Sequence, residues 1–191
     1  NANLFRKKGK LPNNFTRTLP KEIDPSAREV FKDEYLMDFM RLDENADERE
    51  VESEIVGNIK EFILRMGKGF CFIGNQYRIE LDGEEFFIDL LFYNRYLKSM
   101  VVFELKRGRF QPEYAGKINF YLNVLDKKIK LPHENPSIGI ILCKEKNNTV
   151  VEFSIKTINK PIGVSTYRIS RKIPEDMKNV LPKVNELIRL I

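Results

Sequence analysis

Two apolar runs in this chain carry charges that a sheet interior would ordinarily reject. Phe86-Phe87-Ile88-Asp89-Leu90-Leu91-Phe92-Tyr93 is interrupted by Asp89. Fifteen positions after that acid, Met100-Val101-Val102-Phe103-Glu104-Leu105-Lys106 ends on Glu104 and Lys106. A lone charge in such a strand is costly to bury unless it is paired or binds a metal. Strand alternation puts Asp89 on one face with Phe87, Leu91 and Tyr93, and Glu104 and Lys106 on one face with Val102. If the two strands pair through a short turn around Asn94-Arg95-Tyr96-Leu97-Lys98, all three charges point to the same side of the sheet.

The surrounding chain supplies the rest of a sheet. Gly69-Phe70 to Leu81 reads as a strand, and Asp82-Gly83 is a two-residue hairpin signal into a second strand over Glu85–Tyr93. A third covers Ser99–Lys106, a helix is expected over 112–125, and Ile138–Cys143 is a continuous apolar strand of the kind found in sheet interiors. A short helix over 147–156 and a fifth strand over 162–169 follow, and Pro174 opens a C-terminal helix. Upstream, Val51, Ile55, Ile59, Phe62, Ile63 and Met66 mark one helix over 47–66, stopped by Gly67 and Gly69. Ser26 is expected to cap a helix to about Leu42, with Phe31, Tyr35, Leu36 and Phe39 at helical spacing. Residues 1–25, with Pro12, Pro20, Pro25 and several Lys and Arg, read as an irregular arm or linker, and Asn1-Ala2 as the scar of a cleaved tag on a piece of a longer protein. Residues 26–191 then form one domain. Its order after the first helix is αβββαβ: antiparallel strands first, then a helical crossover to a parallel strand.

Two acids and a lysine on neighbouring strands suit phosphodiester hydrolysis with Mg²⁺, which takes hard oxygen ligands and keeps several waters. Asp89 and Glu104 are the expected ligands, with the backbone carbonyl of Leu105 as a further oxygen. Glu52 falls inside the apolar arc of the 47–66 helix and Glu54 outside it, so Glu52 is expected to face the sheet and support a second ion or a bound water. Lys106 would orient the attacking hydroxide, stabilise the pentavalent phosphorus, or act as a desolvated base. Gln76 and Tyr77 lie beside the site if the hairpin holds; Gln76 either positions water or phosphate or faces solvent. Arg78 is a phosphate contact or a partner of Glu80 or Glu85. Arg107, Arg109 and Lys117 follow the Glu-x-Lys, where a nucleic-acid backbone would run. Tyr114 and Tyr121 read as core, and His133, between Pro132 and Pro136, as a turn residue.

Ile88-Asp89…Glu104-Leu105-Lys106, after a helix bearing Glu52, resembles the PD-(D/E)XK nuclease superfamily, with Ile88 where the motif has Pro. Gly67-Lys68-Gly69-Phe70-Cys71-Phe72-Ile73-Gly74-Asn75-Gln76-Tyr77-Arg78, Phe87–Tyr93, Pro112-Glu113-Tyr114-Ala115-Gly116-Lys117 and Pro132-His133-Glu134-Asn135-Pro136-Ser137-Ile138-Gly139 resemble its YhcG-like bacterial branch, over about residues 13–175. The resemblance implies an α/β (α+β) restriction-endonuclease-like αβββαβ core, with a mixed central sheet flanked by helices. It also implies Mg²⁺-dependent DNA cleavage, Mn²⁺ substituting, in repair, recombination or restriction. Asp89, Glu104 and Lys106 would be the motif residues, Glu52 the helix acid, and an N-terminal helical domain the absent neighbour.

The bulk numbers agree with these expectations. A net charge of +5 and a pI of about 9.1 are compatible with a polyanionic partner. Two cysteines without a CxxC, and one histidine, exclude a structural zinc site; Cys71 and Cys143 read as two buried free thiols in a reducing cytoplasm. No apolar run approaches a membrane span. Nucleases that cut both strands often pair, which makes a homodimer possible, while the sequence leaves the oligomeric state open. The competing function is a catalytically silent module of the same fold that contributes DNA binding or assembly contacts. Retention of both acids and the lysine favours the enzyme, because an unneeded buried charge is destabilising.

Overall fold

Asp82 and Gly83 both take left-handed backbone angles, φ 51° and 84°. They close a two-residue turn whose twist matches the strands on either side. The computed structural model describes residues 10–42 and 46–169. Its elements run α1 (Phe15–Thr18), α2 (Asp24–Val30), β1 (Glu34–Leu36), α3 (Glu48–Gly57), α4 (Ile59–Met66), β2 (Phe70–Leu81), β3 (Glu84–Asn94), β4 (Ser99–Leu105), α5 (Pro112–Lys128), β5 (Ile138–Cys143), α6 (Asn148–Ile155) and β6 (Ile162–Arg168). They build one six-stranded sheet in the order β1-β6-β5-β4-β3-β2. The β2–β3 and β3–β4 pairs are antiparallel; β4–β5, β5–β6 and β6–β1 are parallel. Helices α5 and α6 are the crossovers that parallel pairing requires. This is the α/β class with a mixed sheet flanked by helices.

Each face of the sheet has its own core. Phe62 of α4, Phe70, Phe92, Phe103 and Tyr35 stack edge to face on one side, together with Val51 and Ile55 of α3. On the other side Ala115, Ile118, Leu122 and Leu125 of α5, and Val151 and Ile155 of α6, cover Leu91, Val102, Ile141 and Val164. Gly139 of β5 permits the approach of α5: a Cβ there would lie 2.6 Å from Ile118 Cδ1. That close packing sets the height of α5, and hence of Lys117, over the strand ends.

Four expectations change. The helix expected over 26–42 is a short helix, Asp24–Val30, followed by β1, with Ile23 rather than Ser26 at its cap and Pro25 in its first turn. Residues 34–36 alternate exposed, buried, exposed, and are recruited by β6 through Thr166 N–H to Asp33 O (2.9 Å) and Met37 N–H to Arg168 O (2.8 Å). The helix expected over 47–66 breaks at Asn58, whose φ of −120° and ψ of 36° are not helical. The amphipathic arc continues through that kink, so periodicity alone conceals it. Residues 10–25 are part of the domain rather than an arm: Leu11, Phe15 and Leu19 are buried. Asn14 anchors the segment, donating to Ile158 O (3.0 Å) and Lys160 O (2.9 Å) and accepting from Ile162 N–H (2.8 Å). Both cysteines are free, but Cys71 is exposed and only Cys143 buried. Residues 1–9 and the helix expected after Pro174 lie outside the described residues.

Candidate active site

Leu90 pairs with Phe103 across β3 and β4, so the next antiparallel positions, Asp89 and Glu104, face each other. Leu91 and Val102 of the neighbouring pair lie in the core under α5, which places the two acids on the α5 side. The ladder does not continue at Asp89; its Oδ2 instead accepts the Leu105 N–H at 2.8 Å. Glu104 is 0% exposed. Its Oε1 receives both Lys106 Nζ (2.9 Å) and Lys117 Nζ (2.5 Å), while Oε2 is buried with no hydrogen-bond partner. An orphaned carboxylate oxygen at this depth needs a cation or water to satisfy it.

Each lysine lies over an aromatic ring on α5. Lys106 Nζ is 5.2 Å from the Tyr114 centroid and Lys117 Nζ 5.5 Å from that of Tyr121. Tyr121 is buried, as expected, and its hydroxyl donates to Phe87 O at 2.9 Å. Burial pulls the Lys106 ammonium down, but the Glu104 and Glu48 charges outweigh it and the net direction is up. Lys117 is raised for the same reason, with Glu104 overcoming desolvation. Lys106 thus presents a positive charge held against Glu104.

Helix α3 reaches the site from the other side of the sheet. Asp47 caps it, accepting Glu50 N–H while Glu50 accepts the Asp47 N–H in return. Glu52 is 8% exposed and faces the sheet, as the helical arc predicts. It is held by two amides of β2, Asn75 Nδ2 (3.0 Å) and Gln76 Nε2 (2.6 Å). Gln76 adopts φ 43° in mid-strand. It sits opposite Asp89, between the Asn75–Leu90 and Tyr77–Ile88 pairs. A non-glycine residue held in that conformation is strained, and such strain concentrates at functional sites. Glu48, one turn before Glu52, takes Lys106 Nζ at 3.3 Å and the Arg107 N–H at 3.1 Å. Glu48 is not among the residues expected from the sequence; its i, i+4 spacing to Glu52 is the signal that places both on one face.

The remaining expected residues divide between the site and its surroundings. Lys117 lies within it. Arg107 and Arg109 are exposed just past β4, and the backbone at Arg109 pairs in parallel with that at Glu145. Arg78 is exposed on the edge strand and paired with both Glu85 and Glu80 (2.9 Å to the latter). Tyr77 is half-buried against the α5-side core. Among the described residues no three His, Cys, Asp or Glu side chains converge as a ready ligand set. Two carboxylates with the rest left to water is the habit of Mg²⁺, so Asp89 and Glu104 fit such an ion.

Burial first, and then the charge of Glu104, push the Asp89 carboxyl from 3.8 up to about 6, against the pull of the Leu105 N–H and the two lysines. The folded domain therefore keeps a proton on Asp89 that the unfolded chain has already released. In metal-free buffer this group should make stability fall as pH rises from about 4 to about 6. Urea denaturation at stepped pH should show that slope in the wild type and a flatter one in Asp89→Asn; parallel profiles for the two proteins would refute it.

The family model of the YhcG PDDEXK nuclease domain matches residues 28–182. The chain is 29% identical over 170 residues to "Putative nuclease YhcG" of Escherichia coli strain K12, covering 89% of this chain but 44% of that protein. Among solved structures, a repair endonuclease from Pyrococcus abyssi aligns with a TM-score of 0.45 at 17% identity, over 68% of this chain and 49% of that one. An EndoMS–dsDNA complex aligns with a TM-score of 0.46 at 18% identity, over 72% and 50%. With its αβββαβ order, its mixed sheet and a family match over most of its length, this chain belongs to the YhcG family of PD-(D/E)XK nuclease domains.

Proposed function

We propose that the chain is the catalytic domain of a divalent-metal-dependent DNA endonuclease, using Mg²⁺ with Mn²⁺ as substitute, in DNA repair, recombination or restriction. The observation that carries this reading is Glu104: a fully buried carboxylate opposite Asp89, with two lysines on one oxygen and the other oxygen bare. A cluster kept only for stability would satisfy both oxygens, and buried ion pairs stabilise poorly in any case.

In this reading Asp89, Glu104 and the Leu105 carbonyl would hold the metal, which when bound would lower the pKa of its water and offset charge on the scissile phosphate. Lys106, kept cationic by Glu104 and Glu48, faces the negative charge that builds on phosphorus in the transition state. Gln76 and Asn75 fix the Glu52 carboxylate, which holds water, or a second ion, near the acids. Arg107 and Arg109 contact the phosphate backbone past β4, and Arg78 and Tyr77 do so from β2; Lys117, on α5, both neutralises Glu104 and adds a phosphate contact. The partner is DNA, and pairing of two copies would allow both strands to be cut. The chain spans 44% of the length of its Escherichia coli relative, and the remainder of such a protein would supply substrate specificity. No helix among the described residues is long and apolar enough to cross a membrane, and a cytoplasmic setting fits the proposed substrate.

The test is cleavage of labelled linear, flapped and four-way-junction DNAs with Mg²⁺ or Mn²⁺, comparing wild type with Asp89→Ala. Metal-dependent cutting lost in the variant is expected and would name the substrate. Tight DNA binding without cutting, alone or joined to the upstream half, would replace the enzyme with the silent binding module.

A further inference from the structure

Two lysines share Oε1 of Glu104, and they are not equivalent. The side chain of Lys106 is 10% exposed, and besides Glu104 it has a second carboxylate, Glu48, at 3.3 Å and the Tyr114 ring beneath it. That of Lys117 is 43% exposed, reaches in from α5, and has Glu104 as its ion-pair partner at 2.5 Å and the Tyr121 ring beneath it. If another cation takes Glu104, Lys106 keeps an anionic partner of its own. Lys117 loses its ion pair, but it has the exposure to turn outward and be solvated. The shorter contact to the buried acid thus belongs to the more easily released lysine.

We propose that Lys117 is the resident counter-cation of the acid pair, an ammonium that a divalent metal must displace from Glu104 while Lys106 stays in place. The proposal rests on the metal-dependent reading above and concerns how that site is loaded. A buried carboxylate facing a second acid needs compensating charge before the metal arrives. Lys117 supplies it and keeps Glu104 ionised and oriented, but the metal then binds by exchange rather than by simple addition. Loading becomes conditional on metal concentration, because the ion has to outcompete a tethered positive charge. Asp89, across the sheet from Glu104, feels the same lysine.

Calorimetric titration of the full chain with Mn²⁺, without DNA, tests this separately from catalysis. Lys117→Met should bind Mn²⁺ about tenfold more tightly than wild type, since the competitor is gone. Lys117→Arg, which retains the charge, and Lys127→Met, which removes an exposed charge elsewhere on α5, should both bind as wild type does. Thermal melting of Lys117→Met within a few degrees of wild type would show the fold intact. Unchanged or weaker binding by folded Lys117→Met would overturn the proposal, as would equally tight binding by Lys127→Met. Wild-type binding that Asp89→Asn leaves unaltered would instead remove the metal site itself, a different failure from that of Lys117.

Discussion

Lys106→Ala should lower the DNA cleavage rate at saturating substrate by about 10³-fold while changing DNA affinity by no more than about threefold. The expectation follows from where the ammonium is held. It lies against Glu104 Oε1 at 2.9 Å and Glu48 Oε2 at 3.3 Å, with the Tyr114 ring limiting its escape. A charge so fixed needs no reorganisation when negative charge develops on the reacting phosphate, and that preorganisation makes it worth more in the transition state than in the bound ground state. Removing it should therefore appear in kcat rather than in binding. Truncation should not collapse the fold, because Glu104 keeps Lys117 at 2.5 Å. Single-turnover cleavage beside filter-binding affinity measures both quantities. Cleavage at the wild-type rate would remove Lys106 from the mechanism, and a parallel loss of affinity would make it a simple phosphate anchor.

The second large effect is on stability. Phe92→Ala should destabilise the domain by about 3–5 kcal/mol, since deleting a buried aromatic ring loses both transfer energy and packing. Phe92 has no exposed surface and lies 5.2–6.2 Å, centroid to centroid, from Phe62, Phe70, Phe72 and Phe103. It joins β3 to α4 and β2, and it is separated from Asp89 by three positions on the same strand. The lost ring cannot be replaced by collapse, because four other aromatics fix the walls of the cavity. Urea unfolding at neutral pH reads the difference. A change under about 1 kcal/mol would mean that the aromatic cluster relaxes around the void and is not the rigid floor beneath the acids.

Residues with strong local chemistry were legible in the sequence. Asp82-Gly83 specified its hairpin because a tight two-residue turn demands left-handed angles that few residues take. Alternation then put Asp89 and Glu104 on one face without reference to anything distant. The Ile138–Cys143 strand and the α5 helix were likewise visible from continuous apolarity and periodicity. Glu52 was separable from Glu54 by helical phase alone, and the structure buries the first while the second accepts from the Arg41 N–H and from Asn58. β1 was not legible: three residues carry too little pattern, and they become a strand only because β6 offers an open edge. The buried anchors Leu11, Phe15 and Leu19 looked like linker because the helix among them, Phe15–Thr18, is one turn long and leaves no periodic stretch to read.

The sequence by itself determined the two acids, the lysine beside them, the strands that carry them and the helix acid, because each depends on local propensity and on periods of two or 3.6 residues. Only the tertiary structure decided what surrounds that motif. Glu48 meets Lys106 across 58 positions, Lys117 meets Glu104 from the crossover helix α5, and Gln76 is bent to reach Glu52 from the edge strand. Those partners are set by how closely α5 and α3 pack on the sheet, by the gap at Gly139 and the kink at Asn58. Packing of that kind is a balance of many distant contacts and has no local pattern to read.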